Sequence, residues 1–219
     1  MQLSNSRENI LKKISTSLQK AAVKMPFPEV AKLNSSVFYP ASDNIDEYFA
    51  TEFTSLGGKF IYCANEEEMV QQLEILADAK NWKHVHCNEP FFTNYFIEHN
   101  LPFTKIGSNF TEMDASITSC EMAIARLGSL LISSASGSGR VLNVYCPIHV
   151  CVVYANQIVW DIQDATNAIT NKYGSNLPSM INLTTGPSRT ADIEKTLVVG
   201  VHGPKEVFVL FIDKEAPYA

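Results

Sequence analysis

Long apolar runs are missing from this chain of 219 residues, although 46% of its residues are hydrophobic. No stretch approaches the roughly 18 consecutive apolar residues that a membrane-spanning helix needs. Residues 1–25 are polar and charged and lack the apolar core of a secretion signal. We therefore expect a cytoplasmic protein that does not interact with membranes and that has enough apolar residues to bury the core of one domain.

A surplus of positive charge is missing as well. Seventeen Lys and Arg residues stand against 23 Asp and Glu residues, which gives a formal net charge of −6. The basic residues are dispersed along the sequence, whereas nucleic-acid-binding proteins concentrate them on one surface to neutralise phosphates. We therefore expect no nucleic-acid partner.

Clustered thiols are the third absence. The cysteines show no C-x-x-C spacing and lie mostly in apolar stretches, at Cys63, Cys87, Cys120, Cys146 and Cys151. Iron–sulfur clusters and structural zinc need closely spaced thiolates. His84 and His86 can share one face of a strand, but no third histidine stands near them in the sequence. We therefore expect buried free thiols and no metal or other cofactor on this chain.

An amphipathic segment opens the chain. Asn5 or Ser6 can cap a helix with an apolar stripe formed by Ile10, Leu11, Ile14 and Leu18. The sequence MPFPEV at 25–30 ends this helix, and the polar residues after it are typical of a linker. We expect residues 1–42 to form an arm that covers its stripe on the following domain or on a neighbouring subunit, which is compatible with a homo-oligomer.

From residue 43 onward, helical and strand-like patterns alternate. Helices are expected over 45–56, from Asn65 through Leu76, and over 89–100. Strands are expected at KFIYC (59–63), KHVHC (83–87), GSLLISS (128–134), HVCVVYA (149–155), SMINLT (179–184) and EVFVLFID (206–213). This alternation predicts one α/β domain over residues 43–219, with three α/β/α layers and a mostly parallel sheet.

Three loops beside these strands are rich in glycine, hydroxyl and basic residues: SSASGSGR (133–140), TTGPSRT (184–190) and GVHGPKE (200–206). In parallel α/β sheets, ligands bind beyond the carboxyl ends of the strands, where loops converge. We therefore predict that these loops meet there and bind a small anion. The predicted ligand-binding residues are Gly139, Arg140, Gly186, Ser188, Arg189, Thr190, Asp192, His202 and Gly203.

Simpler interpretations exist for several of these residues. Arg140 fits a hairpin turn as well as an anion pocket in which its guanidinium pairs with a carboxylate or phosphate. Ser188 or Thr190 can cap a helix, and Asp192 and Glu194 then fit its first turn better than an acid–base role.

Histidines and nucleotide motifs give no catalytic assignment. His149 is flanked by apolar residues and is interpreted as a core residue, whereas His202 stands beside a glycine and a proline that end or kink a strand. No order of serine, cysteine, histidine and aspartate indicates a catalytic triad. The glycine loops match neither the phosphate-loop nor the dinucleotide pattern, so no nucleotide is predicted.

The most specific patterns of the chain are AIARLGSLLISS (123–134), GRVLNVYCPIHVCVVYANQIV (139–159) and LTTGPSRTADIEKTLVVGVHGPKEVFVLFID (183–213). These stretches resemble the LUD domain family, the LutC/YkgG-like proteins of bacterial lactate utilisation. The resemblance covers roughly residues 43 to 213. It is most specific at TGPSRTADIE and GVHGP.

This resemblance implies a fold like that of the NagB/RpiA/CoA-transferase superfamily. It also implies a cytoplasmic three-component system that oxidises L-lactate to pyruvate, in which partner subunits carry iron–sulfur clusters and this chain handles substrate or is accessory. Two alternatives stay open. One is a CoA transferase- or sugar-phosphate isomerase-like enzyme with Glu121 or Glu194 as nucleophile or base, and the other is a non-catalytic scaffold.

One position departs from the family pattern. Relatives commonly read A-E-T-G-T where this chain reads Ala125-Arg126-Leu127-Gly128-Ser129. Glycine and hydroxyl are kept in type, whereas Arg126 replaces the acid. An activity that depends on this acid in the relatives does not transfer to this chain.

Overall fold

The computed structural model describes residues 3–19, 43–99, 103–104, 112–193 and 196–217. The chain divides into two units, Met1–Pro40 and Ala41–Ala219. The first contains helix α1 (Leu3–Leu18), which confirms the predicted N-terminal helix, but Asn5 and Ser6 lie inside it, so the prediction that one of them caps the helix is wrong. Its apolar stripe is exposed at Ile10, Leu11, Ile14 and Leu18. The predicted linker and the MPFPEV stretch lie outside the described residues.

The second unit alternates helices and strands along most of its length. Its helices are α2 (Ile45–Ser55), α3 (Glu66–Lys80), α4 (Pro90–Glu98), α5 (Leu142–Tyr145) and α6 (Ile162–Tyr173). Its strands are β1 (Lys59–Cys63), β2 (Val85–Cys87), β3 (Phe103–Thr104), β4 (Ala115–Ser119), β5 (Met122–Ile124), β6 (Ser129–Ser133), β7 (Ile148–Tyr154), β8 (Ile158–Val159), β9 (Ile181–Thr184), β10 (Arg189–Ile193), β11 (Thr196–Val199) and β12 (Glu206–Ile212). The predicted strands are all present.

A six-stranded sheet in the order β1-β12-β7-β4-β2-β3 forms the centre, and all its pairings are parallel. The central strand β12 is an almost continuous apolar run because both of its faces are buried. Phe208, Leu210 and Ile212 pack on one side with α3 and α4, whereas Val207 and Val209 pack on the other side with α2. The predicted mostly parallel sheet is confirmed.

The second face of this sheet differs from a simple helical layer. A smaller sheet in the order β8-β5-β6-β9 packs there beside α2. Helix α6 covers the far side of the smaller sheet, where Ala165 and Ile169 pack against Ile124 and Leu131. Strands β4, β5 and β8 were not predicted. Strands β5 and β8 have only three and two residues, and β4 has five, three of them serine or threonine, so the sequence shows no long alternating pattern there.

No helix follows Ser188, so the interpretation of Ser188 or Thr190 as a helix cap is wrong. Arg189–Ile193 form β10, which pairs antiparallel with β11, and the Cα partners are Arg189 with Val199 and Thr190 with Val198. Serine, threonine and acidic residues suit a helix start, but β-branched residues on both segments favour strand pairing. Tertiary pairing thus overrides the local capping signal.

Other local predictions are confirmed. The side chain of Asn65 accepts a hydrogen bond from the Glu68 N–H at 2.9 Å and caps α3. The Glu68 carboxylate reaches back to the N–H of Ala64 at 2.7 Å, one residue before the position of a capping box. All five cysteines are free and buried.

Arg126 joins the turn Ala125–Leu127 to the start of α6. Its Nε and Nη2 donate to the two carboxylate oxygens of Asp161 at 2.7 and 2.8 Å. Asp161 caps α6 by accepting the Ile162 N–H at 2.6 Å. The hydrogen bond from Arg126 is the largest cause that lowers the pKa of Asp161. The basic residue that departs from the family pattern therefore has a structural partner.

Gly128 lies against the backbone of α2 with a φ of 55°. A Cβ added there would stand 2.6 Å from the N atom of Phe53 and 2.7 Å from the carbonyl carbon of Glu52. Only glycine therefore allows this turn to approach the helix.

We expect Gly128→Ala to lower the free energy of unfolding by about 3 kcal/mol, because a left-handed conformation and a backbone collision both penalise the new methyl group. Gly139→Ala is the matched control. Gly139 also has a left-handed φ of 62°, but nothing lies within 4 Å of its added Cβ, so only the conformational cost of about 1 kcal/mol remains. Equal losses in urea unfolding would show that the contact with α2 does not constrain the fold.

We expect Arg126→Glu to cost about 2 kcal/mol or more, because it leaves two carboxylates facing each other at a nearly buried site. Arg126→Met keeps the length of the side chain without its charge and should cost less. Because the pKa of Asp161 is lowered in the folded state, the ion pair stabilises the protein above the ordinary aspartate pKa near 3.8 and loses its effect as the pH falls further. Unfolding curves from pH 7 to pH 3 measure this. A difference between wild type and Arg126→Met that does not shrink on acidification contradicts the assignment.

Candidate functional site

The carboxyl ends of β2, β4 and β7 surround a cleft of about 470 Å³. This is the edge at which open parallel sheets bind ligands. We call it the carboxyl-edge cleft. It is lined by Glu89, Ser119, Cys120, Glu121, Met122, Ala135, Ser136, Asn156, Gln157, Lys172 and Tyr173.

Glu121 follows β4 and is buried, with 7% of its surface exposed. Its Oε1 accepts hydrogen bonds from the hydroxyls of Ser133 and, at 2.6 Å, Tyr173. Its Oε2 accepts from the Lys172 ammonium at 3.0 Å. Burial works to raise the pKa of Glu121, but these three donors outweigh it and the pKa lies below its ordinary value. The group is therefore an ionised carboxylate at neutral pH.

Glu89 is the second buried carboxylate of the cleft, with 8% of its surface exposed. It follows β2 and precedes Pro90, the first residue of α4. Its Oε1 accepts the backbone N–H of Ser119 at 2.8 Å and the hydroxyl of Ser138. These bonds fix the side chain against β4 and the loop that contains Ser138.

The remaining wall of the cleft is held by side-chain amides. Gln157 accepts the N–H of Tyr154 at 2.9 Å and donates to the carbonyl of Cys120 at 2.7 Å. Asn156 accepts the N–H of Ala216 at 3.0 Å. Because these bonds join β4, β7 and the segment after β12, the wall is pre-organised.

The chemistry of the cleft follows from its charges. Two carboxylates and one ammonium line it, so its side chains leave one negative charge. Buried carboxylates of this kind can accept protons or hydrogen bonds, or act as nucleophiles. Glu121 was an open candidate in the sequence, whereas Glu89 was missed. The only local signal for Glu89 is an acid between the end of an apolar strand and a proline that starts a helix.

One of the three predicted loops reaches this cleft. Ala135 and Ser136 of the loop 133–140 line it. Arg140, at the end of this loop, instead donates to the hydroxyl of Ser179 at 2.6 Å. Gly139 takes a left-handed φ of 62° beside it.

A second group of predicted residues packs on the end of α2. Arg189 donates through Nη2 to the carbonyl of Leu56. Gly186, with a φ of 68°, approaches the same carbonyl, and an added Cβ would stand 2.9 Å from it. Thr190 lies one residue further along β10. The backbone of Asp192 lies on this strand, its side chain is not among those described, and Glu194 lies outside the described residues.

The third group forms around the loop 200–205. The Ser188 N–H donates to the carbonyl of Pro204 at 2.9 Å, and the Gly200 N–H donates to the carbonyl of Ser188 at 2.9 Å. His202 and Gly203 line a hollow of about 430 Å³, which we call the amino-edge hollow. It is lined by Val144, Tyr145, Pro147, Gly200, Val201, His202, Gly203 and Lys205.

The expectation that all three loops meet at the carboxyl ends is therefore corrected. The loop 200–205 precedes β12, and the N–H of Lys205 bonds to Pro147 just before β7, so this loop lies at the amino ends. The described contacts place Arg140, Arg189 and His202 in three separate surroundings. The sequence did not predict the hairpin of β10 and β11. This hairpin places the loops 184–190 and 200–206 at the amino ends of the parallel strands. Ligand binding by these residues stays a prediction.

His149 is a core residue, as interpreted. It is fully buried on β7, and its Nε2 lies 2.8 Å from the hydroxyl oxygen of Thr118. Burial lowers the pKa of His149 to about 4, so the imidazole is neutral at physiological pH.

The chain is similar in sequence to curated proteins of bacteria. Lactate utilization protein C 1 of Bacillus mycoides is 36% identical over 104 residues, which are 47% of this chain and 44% of that protein. Lactate utilization protein C of Bacillus subtilis is 35% identical over 106 residues, again 47% and 44% of the two chains. The matched segment thus spans less than half the length of these curated relatives.

A solved structure shows the same fold. A DUF162 family protein from Deinococcus radiodurans has a TM-score of 0.59 and 19% sequence identity, and the match covers 79% of this chain and 99% of that one. At this identity the likeness concerns the fold alone. The model of the LUD domain matches residues 46–212, which is most of the sequence. The chain belongs to the LUD domain family.

Proposed function

We propose that this chain is a cytoplasmic component of bacterial lactate utilisation that binds a small anion such as L-lactate or a related 2-hydroxy acid. The observation that carries this proposal is the 36% identity over 104 residues to Lactate utilization protein C 1. Oxidation of lactate to pyruvate releases two electrons. As the resemblance to the LUD domain family implies, iron–sulfur partner subunits would carry those electrons.

The anion is assigned to the amino-edge hollow. Lys205 and His202 line it, and no carboxylate is among the lining residues that the structure describes. The carboxyl-edge cleft, by contrast, has a net negative lining, which repels a lactate anion. Charge therefore favours the amino-edge hollow, and two of the predicted ligand-binding residues, His202 and Gly203, lie in it.

The loop that forms this hollow is held in place before a ligand arrives. Two backbone hydrogen bonds tie Ser188 to Gly200 and Pro204, and the N–H of Lys205 bonds to Pro147 at 2.7 Å. A loop fixed in this way loses little conformational entropy on binding, which supports affinity for a small ligand.

We expect Lys205→Ala to weaken L-lactate and pyruvate binding at least tenfold, because the ammonium is the strongest cation of the hollow. Thermal shift and calorimetry measure this, and ligand at a hundredfold excess over its Kd should stabilise the folded state by about 2.7 kcal/mol. Lys83→Ala, at an exposed lysine that does not line the hollow, is the control. If Lys205→Ala binds both anions as tightly as wild type, the assignment of the site is contradicted. If the wild-type protein binds neither anion, the result favours a non-catalytic scaffold.

A second candidate function is that of an enzyme with a carboxylate nucleophile or base. The resemblance to the LUD domain family implies a superfamily that includes such enzymes, the CoA transferases and sugar-phosphate isomerases. Glu121 favours it, because this residue is ionised, buried and lines the carboxyl-edge cleft. Transfer of an acyl group from a CoA thioester to Glu121, detected by mass spectrometry of the intact protein, would support it.

The ionisation of Glu121 has a measurable effect on stability. Because the pKa of Glu121 is lowered in the folded state, the carboxylate stabilises the protein above its ordinary pKa near 4.5, and this contribution is lost as the pH falls through the lower folded value. We expect Glu121→Gln to reduce the free energy of unfolding at pH 7 and to differ less from wild type at pH 3. A constant difference across this range would show that Glu121 is not ionised.

A further inference from the structure

The two carboxylates of the carboxyl-edge cleft differ in how completely they are bonded. Both oxygens of Glu121 are engaged, Oε1 by Ser133 and Tyr173 and Oε2 by Lys172. Oε1 accepts two hydrogen bonds and Oε2 accepts one, so the fold already occupies most of the acceptor positions of Glu121. These bonds link Glu121 to β6 and α6.

One carboxylate oxygen of Glu89 accepts no hydrogen bond from the described residues. Its Oε1 is held by Ser119 and Ser138, while Oε2 has no donor among the described contacts. The residue is 92% buried, since only 8% of its surface is exposed, and it lines the cleft. Oε2 is therefore an acceptor position that water or a ligand can occupy.

The position of Glu89 explains why the protein itself does not occupy this oxygen. Glu89 is the residue before α4, where an acidic side chain often bonds to the first N–H groups of the helix. Here Pro90 removes the first of these donors, and the side chain makes no capping hydrogen bond. The bonds from Ser119 and Ser138 draw the carboxylate toward β4 instead.

Charge then selects the class of ligand. The Lys172 ammonium compensates Glu121 at 3.0 Å, which leaves the charge of Glu89 without a cation in its hydrogen-bonding environment. An anion would meet repulsion, and a neutral alcohol would leave the charge in place. A ligand with a single positive charge would neutralise it with a charge-assisted hydrogen bond.

The apolar residues that line the cleft can contact a short aliphatic part of a ligand whose charged group binds Glu89. Cys120, Met122 and Ala135 contribute apolar surface to a cleft of about 470 Å³, which is within the range of small-molecule sites. We propose that the carboxyl-edge cleft binds a small primary amine, with its ammonium group on Oε2 of Glu89 and its aliphatic part against these three residues. This site is separate from the proposed anion site and does not depend on it.

Three four-carbon probes test the charge argument: n-butylamine, 1-butanol and butyrate. Titration of the full-length ¹⁵N-labelled protein at pH 7 should shift the backbone amide of Ser119, which donates to Glu89. We expect butylamine to bind at least tenfold more tightly than butanol, and butyrate not to shift this signal, because an ion pair at a nearly buried carboxylate outweighs a neutral hydrogen bond. Butanol or butyrate that binds as tightly as butylamine overturns the proposal.

Glu89→Gln tests the residue itself. The variant keeps an oxygen for Ser119 but replaces the free acceptor with an uncharged amide, so the preference for butylamine over butanol should disappear. Glu67→Gln, at an exposed glutamate on α3, has the same change of charge and should bind like wild type. A preference that survives in Glu89→Gln contradicts the assignment. If this variant does not fold, the Ser119 titration of the wild-type protein decides alone.

Discussion

The burial of the Glu121 carboxylate constrains the whole carboxyl edge of this domain. A nearly buried charge is tolerated only when donors surround it, and the donors here come from separate parts of the chain: Ser133 ends β6, while Lys172 and Tyr173 end α6. The carboxylate itself lies between β4 of the six-stranded sheet and β5 of the smaller sheet. One charge therefore links two sheets and a helix that also pack through apolar side chains, and these bonds lie in the wall of the cleft.

The parallel strands separate two hollows of opposite character. The carboxyl-edge cleft contains two buried carboxylates, whereas the described lining of the amino-edge hollow contains a lysine and a histidine and no carboxylate. Strand β7 has seven residues between these edges, which is about 20 Å of extended chain. A small ligand cannot touch both. Any coupling between them must pass through the rigid central strands, so the two sites are best treated as independent unless a displacement of β7 or β12 is observed.

The sequence predicted elements whose signals are local and failed where partners are distant. The run EVFVLFI could be identified as a buried parallel strand because apolar side chains fill both faces, and Asn65 could be identified as a cap from the glutamate three residues later. The hairpin of β10 and β11 was missed because Ser188 and Thr190 also suit a helix start. Glu89 was missed because its donors, Ser119 and Ser138, stand 30 and 49 residues away in the sequence. The separate positions of Arg140, Arg189 and His202 were missed for the same reason, because these positions depend on the pairing of distant strands.

The departure at Arg126 also depends on a distant partner. In isolation, arginine in place of an acid would indicate a lost function. In the fold its guanidinium forms a bidentate pair with Asp161, and Asp161 in turn caps α6, the helix that supplies Lys172 and Tyr173 to Glu121. The positive charge of Arg126 is thus paired inside the chain, and the residue is linked to the cleft through α6. Arg126 thus helps to hold the start of α6, and the chemical character of the cleft depends on two carboxylates: Glu121, whose oxygens accept from three side chains, and Glu89, whose Oε2 has no donor among the described contacts.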